Sequence, residues 1–198
     1  MNLRLGFLAS HNGSNVKAIL QNIALGLLIA EPKIIITNNL DANVIDIAKK
    51  YNVTSVCLNK KNNFLYSNLE EAILSTLINS DVNLVVLAGY MKSLGEKIIA
   101  HYKNKIVNIH PSLLPKYGGL GMYGIKVHKA VIESTDTESG ATVHIVDPIY
   151  DYGRILSQLK VPRLIGDNAE TLAKRVLEAE HKLYTQVLKE IQEDKIKI

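Results

Sequence analysis

The chain has 198 residues, 47% hydrophobic and 21% charged, ordinary globular content that can bury a sizeable core, and we expect one domain over residues 1–198. Its single cysteine, Cys57, excludes an internal disulfide and fits a reducing compartment. The 23 Lys plus Arg against 19 Asp plus Glu give a formal net charge of +4, a mild preference for anionic small substrates; the basic residues are scattered, no denser than adjacent pairs such as Lys60-Lys61, and no aromatics interleave with them, so no nucleic-acid partner is expected.

Leu3 to Leu8 is a nearly continuous apolar run, of the kind buried on both faces of a parallel sheet. It is too short for a signal peptide, and no apolar stretch of roughly 18 residues occurs elsewhere, so we expect no membrane contact and a cytoplasmic protein. A polar loop, Ala9 to Gly13, leads into a helix on which Val16, Ile19 and Leu20 recur at helical spacing. Gly13, Ser14 and Asn15 then sit where free backbone N–H groups and the positive end of the helix dipole point outward, a natural phosphate site. The ordinary alternative is that Ser14 or Asn15 only caps the helix. The turn lacks the three-glycine dinucleotide spacing, and no Gly-Lys-Ser/Thr follows as in a P-loop.

Lys33 to Thr37 reads as a second strand, Ala42 to Tyr51 as a helix, and Ser55 to Leu58 as a third strand with Cys57 buried in it. Ser67 is the expected cap of a helix reaching Ser80, with Glu70 completing a capping box. Asn83 to Leu87 is a strand followed at once by Ala88-Gly89-Tyr90-Met91. Gly95 to Tyr102 fits a short helix and Ile106 to Ile109 another strand. This alternation predicts an α/β fold: a mostly parallel twisted sheet with helices on both faces. Ligands of such sheets sit beyond the carboxyl ends of the strands, where the loops after Leu8, Leu87 and Ile109 all lie.

The last of those loops begins in Asn108-Ile109-His110-Pro111-Ser112-Leu113-Leu114-Pro115. Asn108 and His110 are two apart, so at a strand end they point to one face. Pro111 and Pro115 lack N–H donors and fix their own φ, ending the ladder and stiffening the loop. An amide donor beside an imidazole suits a carbonyl that becomes an oxyanion. Alternatively, Asn108 caps a turn and His110 satisfies a buried carbonyl.

Gly118-Gly119-Leu120-Gly121 and Gly124 mark a flexible loop before a helix from Ile125 to Ser134. Gly140 to Val146 alternates as a strand, with Ala141, Val143 and Ile145 on one face and Thr142, His144 and Val146 on the other. Ile155 to Val161 is expected to pair with it as a hairpin across the loop Asp147 to Gly153, in which Asp147 and Asp151 are equally acidic and not distinguishable. The final helix runs from Ala169 to Asp194 with Asn168 as its cap. Its apolar stripe is Leu172, Val176, Leu183, Val187 and Ile191, and Glu180 falls in the middle of it. A carboxylate there needs a partner: a cationic ligand group, a hydrogen-bond donor or a wet cleft, or equally a structural bond to a Lys, Arg or backbone donor. His101, His110, His128, His144 and Asp151 have no zincin or finger spacing, so no metal is expected.

Asn108 to Lys116, Val85-Val86-Leu87-Ala88-Gly89-Tyr90-Met91 and Asn12-Gly13-Ser14-Asn15 together resemble the phosphoribosylglycinamide formyltransferases of the folate-dependent formyltransferase superfamily, across nearly the whole chain and in one order. The resemblance implies transfer of a formyl group from 10-formyltetrahydrofolate, a co-substrate, to glycinamide ribonucleotide, without a metal. It implies that Asn108 donates to the formyl oxygen, that His110 donates a proton and stabilises the oxyanion, and that the family aspartate is Asp151. It places the substrate phosphate on Gly13, Ser14 and Asn15, and a substrate contact on Glu180. The folate pterin would lie against Met91, Lys92, Ser93, Leu94, Asn108, Asp147, Tyr150 and Asp151. Tyr66 stands where many relatives carry a folate-contacting arginine, and the chain is longer and richer in glycine between Lys116 and Ala130. Small-molecule partners and a monomer or homodimer are expected.

Overall fold

The first apolar run becomes β1 (Leu3–Leu8), an interior strand of the sheet. Its neighbours, in a computed structural model describing residues 2–59 and 68–198, are β2 (Ala30–Thr37) and β4 (Leu84–Leu87), both parallel to it. With β3 (Ser55–Cys57), β5 (Ile106–His110), β6 (Glu138–Ile145) and β7 (Ile155–Pro162), they form a seven-stranded sheet ordered β3-β2-β1-β4-β5-β6-β7. The first five strands run parallel; β6 pairs antiparallel with both β5 and β7.

All of β1 except Arg4 is buried, because both sheet faces are covered. Leu3, Leu5 and Phe7 meet α1 (Ser14–Ala24), α2 (Val44–Lys50) and α6 (Ala169–Gln192) through Val16, Val44 and Leu183. Leu8 faces the other way, into a core with Ala72 and Leu77 of α3 (Leu69–Asn79) and Ile98 of α4 (Glu96–His101). A third cluster joins Val131 of α5 (Ile125–Glu133) to Leu172 and Val176 of α6. Tyr184 of α6 is fully buried, its hydroxyl proton shared between the Leu87 and Val107 carbonyls at 2.9 Å each, which fixes the helix against β4 and β5. Among the described residues, no helix is long and apolar enough to cross a membrane.

Several boundaries differ from the sequence expectation for physical reasons. β2 begins at Ala30, ahead of Lys33, and so includes Pro32, which pairs with Leu5 at the register shift of the β1–β2 ladder, an irregularity that tolerates a missing N–H. α3 is capped by Asn68, whose Oδ1 accepts the Glu71 N–H at 2.9 Å, while Ser67, like Tyr66, lies outside the described residues. With Asn68 as the cap, Glu70 is one residue short of the capping-box position, and its Oε1 accepts the Lys97 N–H at 2.6 Å and so holds the first turn of α4. Cys57 is half-buried and forms no disulfide, its Sγ accepting from Asn59 Nδ2 at 3.7 Å. At α6, Asn168 forms a reciprocal capping box with Thr171, and the helix ends at Gln192.

Candidate active site

β5 sorts its side chains by the two-residue period of a strand. Val107 and Ile109 join the core beneath α6, which leaves Asn108 and His110 on the opposite face at the carboxyl end of the strand. The antiparallel register sets Asn108 opposite His144 on β6, and Asn108 Nδ2 lies 3.1 Å from His144 Nε2. His110 is buried, with Nε2 2.8 Å from the Tyr117 carbonyl. A carbonyl only accepts, so Nε2 carries a proton and Nδ1 is the ring position left to exchange one.

Asp151 reaches both imidazoles. Its Oδ2 is 3.5 Å from His110 Nδ1 and its Oδ1 3.6 Å from His144 Nε2, while Oδ2 also accepts the Gly119 N–H at 2.9 Å. The residue has a positive φ of 59°, aspartate being among the side chains that tolerate this region. Gly118 lies against the same corner: a Cβ on it would stand 3.3 Å from Asp151 Cβ and 2.5 Å from Leu114 Cδ2. Asp147, indistinguishable from Asp151 in the sequence, accepts the Ile149 N–H at 2.9 Å and serves its own turn.

Two cavities meet here. The smaller, about 110 Å³, is lined by Lys92, Ser93, Leu94, Asp147 and Tyr150 together with the apolar Leu87, Ile99 and Val146. The larger, about 620 Å³, runs from His110 to Asn15 and Glu180 beneath the Gly119 to Gly124 loop. Asn108, Asp151, Tyr90, Lys92 and Tyr150 line both. Met91, expected with the pterin contacts, opens on the larger cavity. Ser10 ties the strand ends together, donating to Asn38 Oδ1 at 2.6 Å and accepting the Met91 N–H at 2.7 Å.

At the far end of the larger cavity, Gly13 adopts a left-handed conformation, φ 63°, and a Cβ there would stand 2.5 Å from Val44 Cγ2. Gly13 itself occupies the cap position of α1 and no side chain bonds the first-turn amides, so neither Ser14 nor Asn15 acts as the cap. Asn15 turns instead to Glu180: its Nδ2 donates to Oε2 at 2.7 Å, and its Oδ1 is buried without a partner. Glu180 thus bonds a neutral amide, not a cation, and burial pushes its carboxyl up to about 7 against the lowering effect of that bond. Of the three phosphate candidates, only Asn15 lines the cavity; Gly13 and Ser14 form the turn just before it.

His144 was weighed in the sequence only as a possible metal ligand. Its signal is its place on the Thr142 face of β6, which becomes meaningful once the register with β5 is known. Among the described residues, no group of three or more His, Cys, Asp or Glu side chains is arranged to hold a metal ion.

A family model described as formyl transferase matches residues 3–188. A phosphoribosylglycinamide formyltransferase of Haemophilus influenzae is 35% identical over 195 residues, 98% of this chain and 90% of the relative. A chloroplastic protein of the same name from Vigna unguiculata is 39% identical over 193 residues, 98% of this chain; the chain spans 62% of that relative's length. The crystal structure of glycinamide ribonucleotide transformylase 1 from Symbiobacterium toebii superimposes with a TM-score of 0.91 at 31% identity, covering 100% of this chain and 91% of that one.

Proposed function

This chain belongs to the formyl transferase family, and from that premise we propose that it transfers a formyl group from 10-formyltetrahydrofolate to the amine of glycinamide ribonucleotide, a step of de novo purine biosynthesis. The observation that carries this reading is that Asn108 and Asp151 line both cavities. A group transfer between two small molecules needs such a shared wall, where the donor's reactive carbon and the acceptor's nitrogen meet. The smaller, partly apolar cavity suits a pterin. The larger one suits a ribonucleotide, with its phosphate at the Gly13, Ser14 and Asn15 turn, where uncapped amides and the helix dipole favour an anion, and its hydroxyls near Glu180.

In this reading the amine attacks the formyl carbon, a C–N bond forms, and the carbonyl π pair moves onto oxygen. The Asn108 amide donates to that oxyanion, and His110 donates from Nδ1 once that nitrogen has taken up the proton the attacking amine loses. The His110–Asp151 separation of 3.5 Å is longer than a tight hydrogen bond, so Nδ1 is free to take up and pass on a proton. The intermediate collapses as the bond from carbon to N10 breaks; N10 takes up a proton and the former amine gives one up. His110 relays that proton, and the Asp151 carboxylate compensates the transient imidazolium. The products are formylglycinamide ribonucleotide and tetrahydrofolate.

The test is tetrahydrofolate release from 10-formyltetrahydrofolate, followed spectroscopically with mass detection of the formylated product, with and without glycinamide ribonucleotide. Release that requires the ribonucleotide, with product in equal amount, is the expected result. Release without an acceptor would make the protein a hydrolase, and folate binding without turnover would make it a binding protein.

A further inference from the structure

We propose that His144 is a positioning residue: as a neutral, Nδ1-protonated imidazole it accepts a hydrogen bond from the Asn108 side-chain amide and so fixes the direction in which that amide faces the reacting carbonyl. The inference rests on the formyl-transfer reading for its consequence, but its geometry stands alone.

An asparagine side chain has two ends of nearly equal shape, one donating and one accepting, and nothing in the amide itself prefers either direction. At Asn108 the choice decides chemistry. With Nδ2 turned as described, one N–H points to His144 and the other remains for the cleft; turned over, the amide would offer a lone pair to an oxyanion and repel it. His144 settles the direction through a chain of contacts. The Ile145 carbonyl, 2.9 Å from Nδ1, accepts only, so Nδ1 carries the proton. In the neutral ring this leaves Nε2 with a lone pair, 3.1 Å from Asn108 Nδ2. Turning the amide over would set oxygen against nitrogen, lone pair against lone pair.

The surroundings hold this state. His144 is 2% exposed, and burial lowers its proton affinity, the neighbouring His110 adding to the effect while the Ile145 carbonyl, Asp151 and Asp147 oppose it. The cross-strand pairing of Asn108 with His144 places the two side chains on one face without any loop to adjust. Asp151 Oδ1, 3.6 Å from Nε2, makes no hydrogen bond to a ring in this tautomer, so the carboxylate serves His110.

Three substitutions separate this role from a packing one. Glutamine can place a carbonyl oxygen where Nε2 stands, asparagine reaches only as far as Nδ1, and alanine reaches neither. Misplacing one oxyanion donor is expected to lower kcat about 10- to 100-fold in His144→Ala and His144→Asn, with both KM values within about 2-fold of wild type, whereas His144→Gln recovers to within about 5-fold. Wild-type kcat in the alanine variant, or a glutamine variant no better than asparagine, would overturn the proposal. A readout without turnover uses the unsubstituted protein: long-range proton–nitrogen spectra of its imidazoles near neutral pH should show His144 as the Nδ1–H tautomer, its Nε2 signal moving in Asn108→Ala. A proton on Nε2 would refute the assignment. Should wild type fail to transfer formyl groups, the function fails, and the spectra still decide the His144–Asn108 relation.

Discussion

Asn15 and Glu180, 165 positions apart, are joined by a 2.7 Å bond in which the amide donates to a carboxylate only 8% exposed. Burial raises the Glu180 carboxyl from 4.5 to about 7, so between those limits the folded chain holds a proton that the unfolded chain has released. Stability from this group is therefore fully present below the unfolded value and is lost as pH rises through the folded one. Glu180→Gln keeps an acceptor for Asn15 and removes the titration. Its Tm should exceed wild type by several degrees at about pH 8.5 and match it at about pH 4.5. An equal shift at both pH values would remove ionisation as the cause.

Asp151→Asn tests charge separately from geometry. The amide oxygen still accepts the Gly119 N–H now held at 2.9 Å, so the loop should keep its place while the negative charge beside His110 Nδ1 disappears. We expect kcat to fall by about 10²- to 10⁴-fold, as for a lost acid–base partner, with ribonucleotide affinity by calorimetry within about 3-fold. His110→Ala should behave alike. Near wild-type turnover in either variant would take that residue out of the proton path.

How much of this site the sequence disclosed depends on the range over which each contact forms. Asn108 and His110 were legible because a strand's period of two is local, and Glu180 because a carboxylate in an apolar helical stripe is anomalous wherever the helix packs. The choice of Asp151 over Asp147 was not, since it depends on how the loop after β6 folds back; only the family resemblance selected Asp151. His144 escaped notice because its partner lies across a hairpin register that local periodicity leaves open. The start of β2 came three residues earlier than expected, since the sequence does not reveal that the β1–β2 ladder shifts register at Pro32. Glu70 misled the capping argument by bonding α4 rather than its own helix.

Gly13 is expected to resist substitution. In Gly13→Ala the new Cβ would meet Val44 Cγ2 at 2.5 Å and Val44 Cβ at 2.8 Å, at a φ of +63° that costs any L side chain. The variant should lose about 1–3 kcal/mol by urea denaturation. Because the same turn presents the amides proposed for the phosphate, its ribonucleotide KM should rise while its folate KM holds. Val44→Ala removes only the Cγ2 clash and leaves its Cβ 2.8 Å away, so as a second substitution it should recover a small part of the stability at most, and none of the part due to φ. Full recovery would show that the backbone conformation carries no cost.

Glu70 offers a test of the folate cavity from outside it. Its carboxylate accepts the Lys97 N–H at 2.6 Å in the first turn of α4, and it packs so closely on Gly95 that a Cβ there would collide with it. Residues 92–94, immediately before that turn, line the smaller cavity. Glu70→Ala removes a charged acceptor from exposed backbone amides, a loss of about 1 kcal/mol by analogy with helix caps. The larger consequence should be selective: with 92–94 less firmly held, the folate KM rises several-fold while the ribonucleotide KM, set at the opposite end of the cleft, is unchanged. Glu70→Gln, which keeps an acceptor oxygen, should fall between the two. Steady-state kinetics with each substrate varied in turn decide it, and an equal rise in both KM values would mean that the substitution loosens the whole sheet edge rather than this one wall.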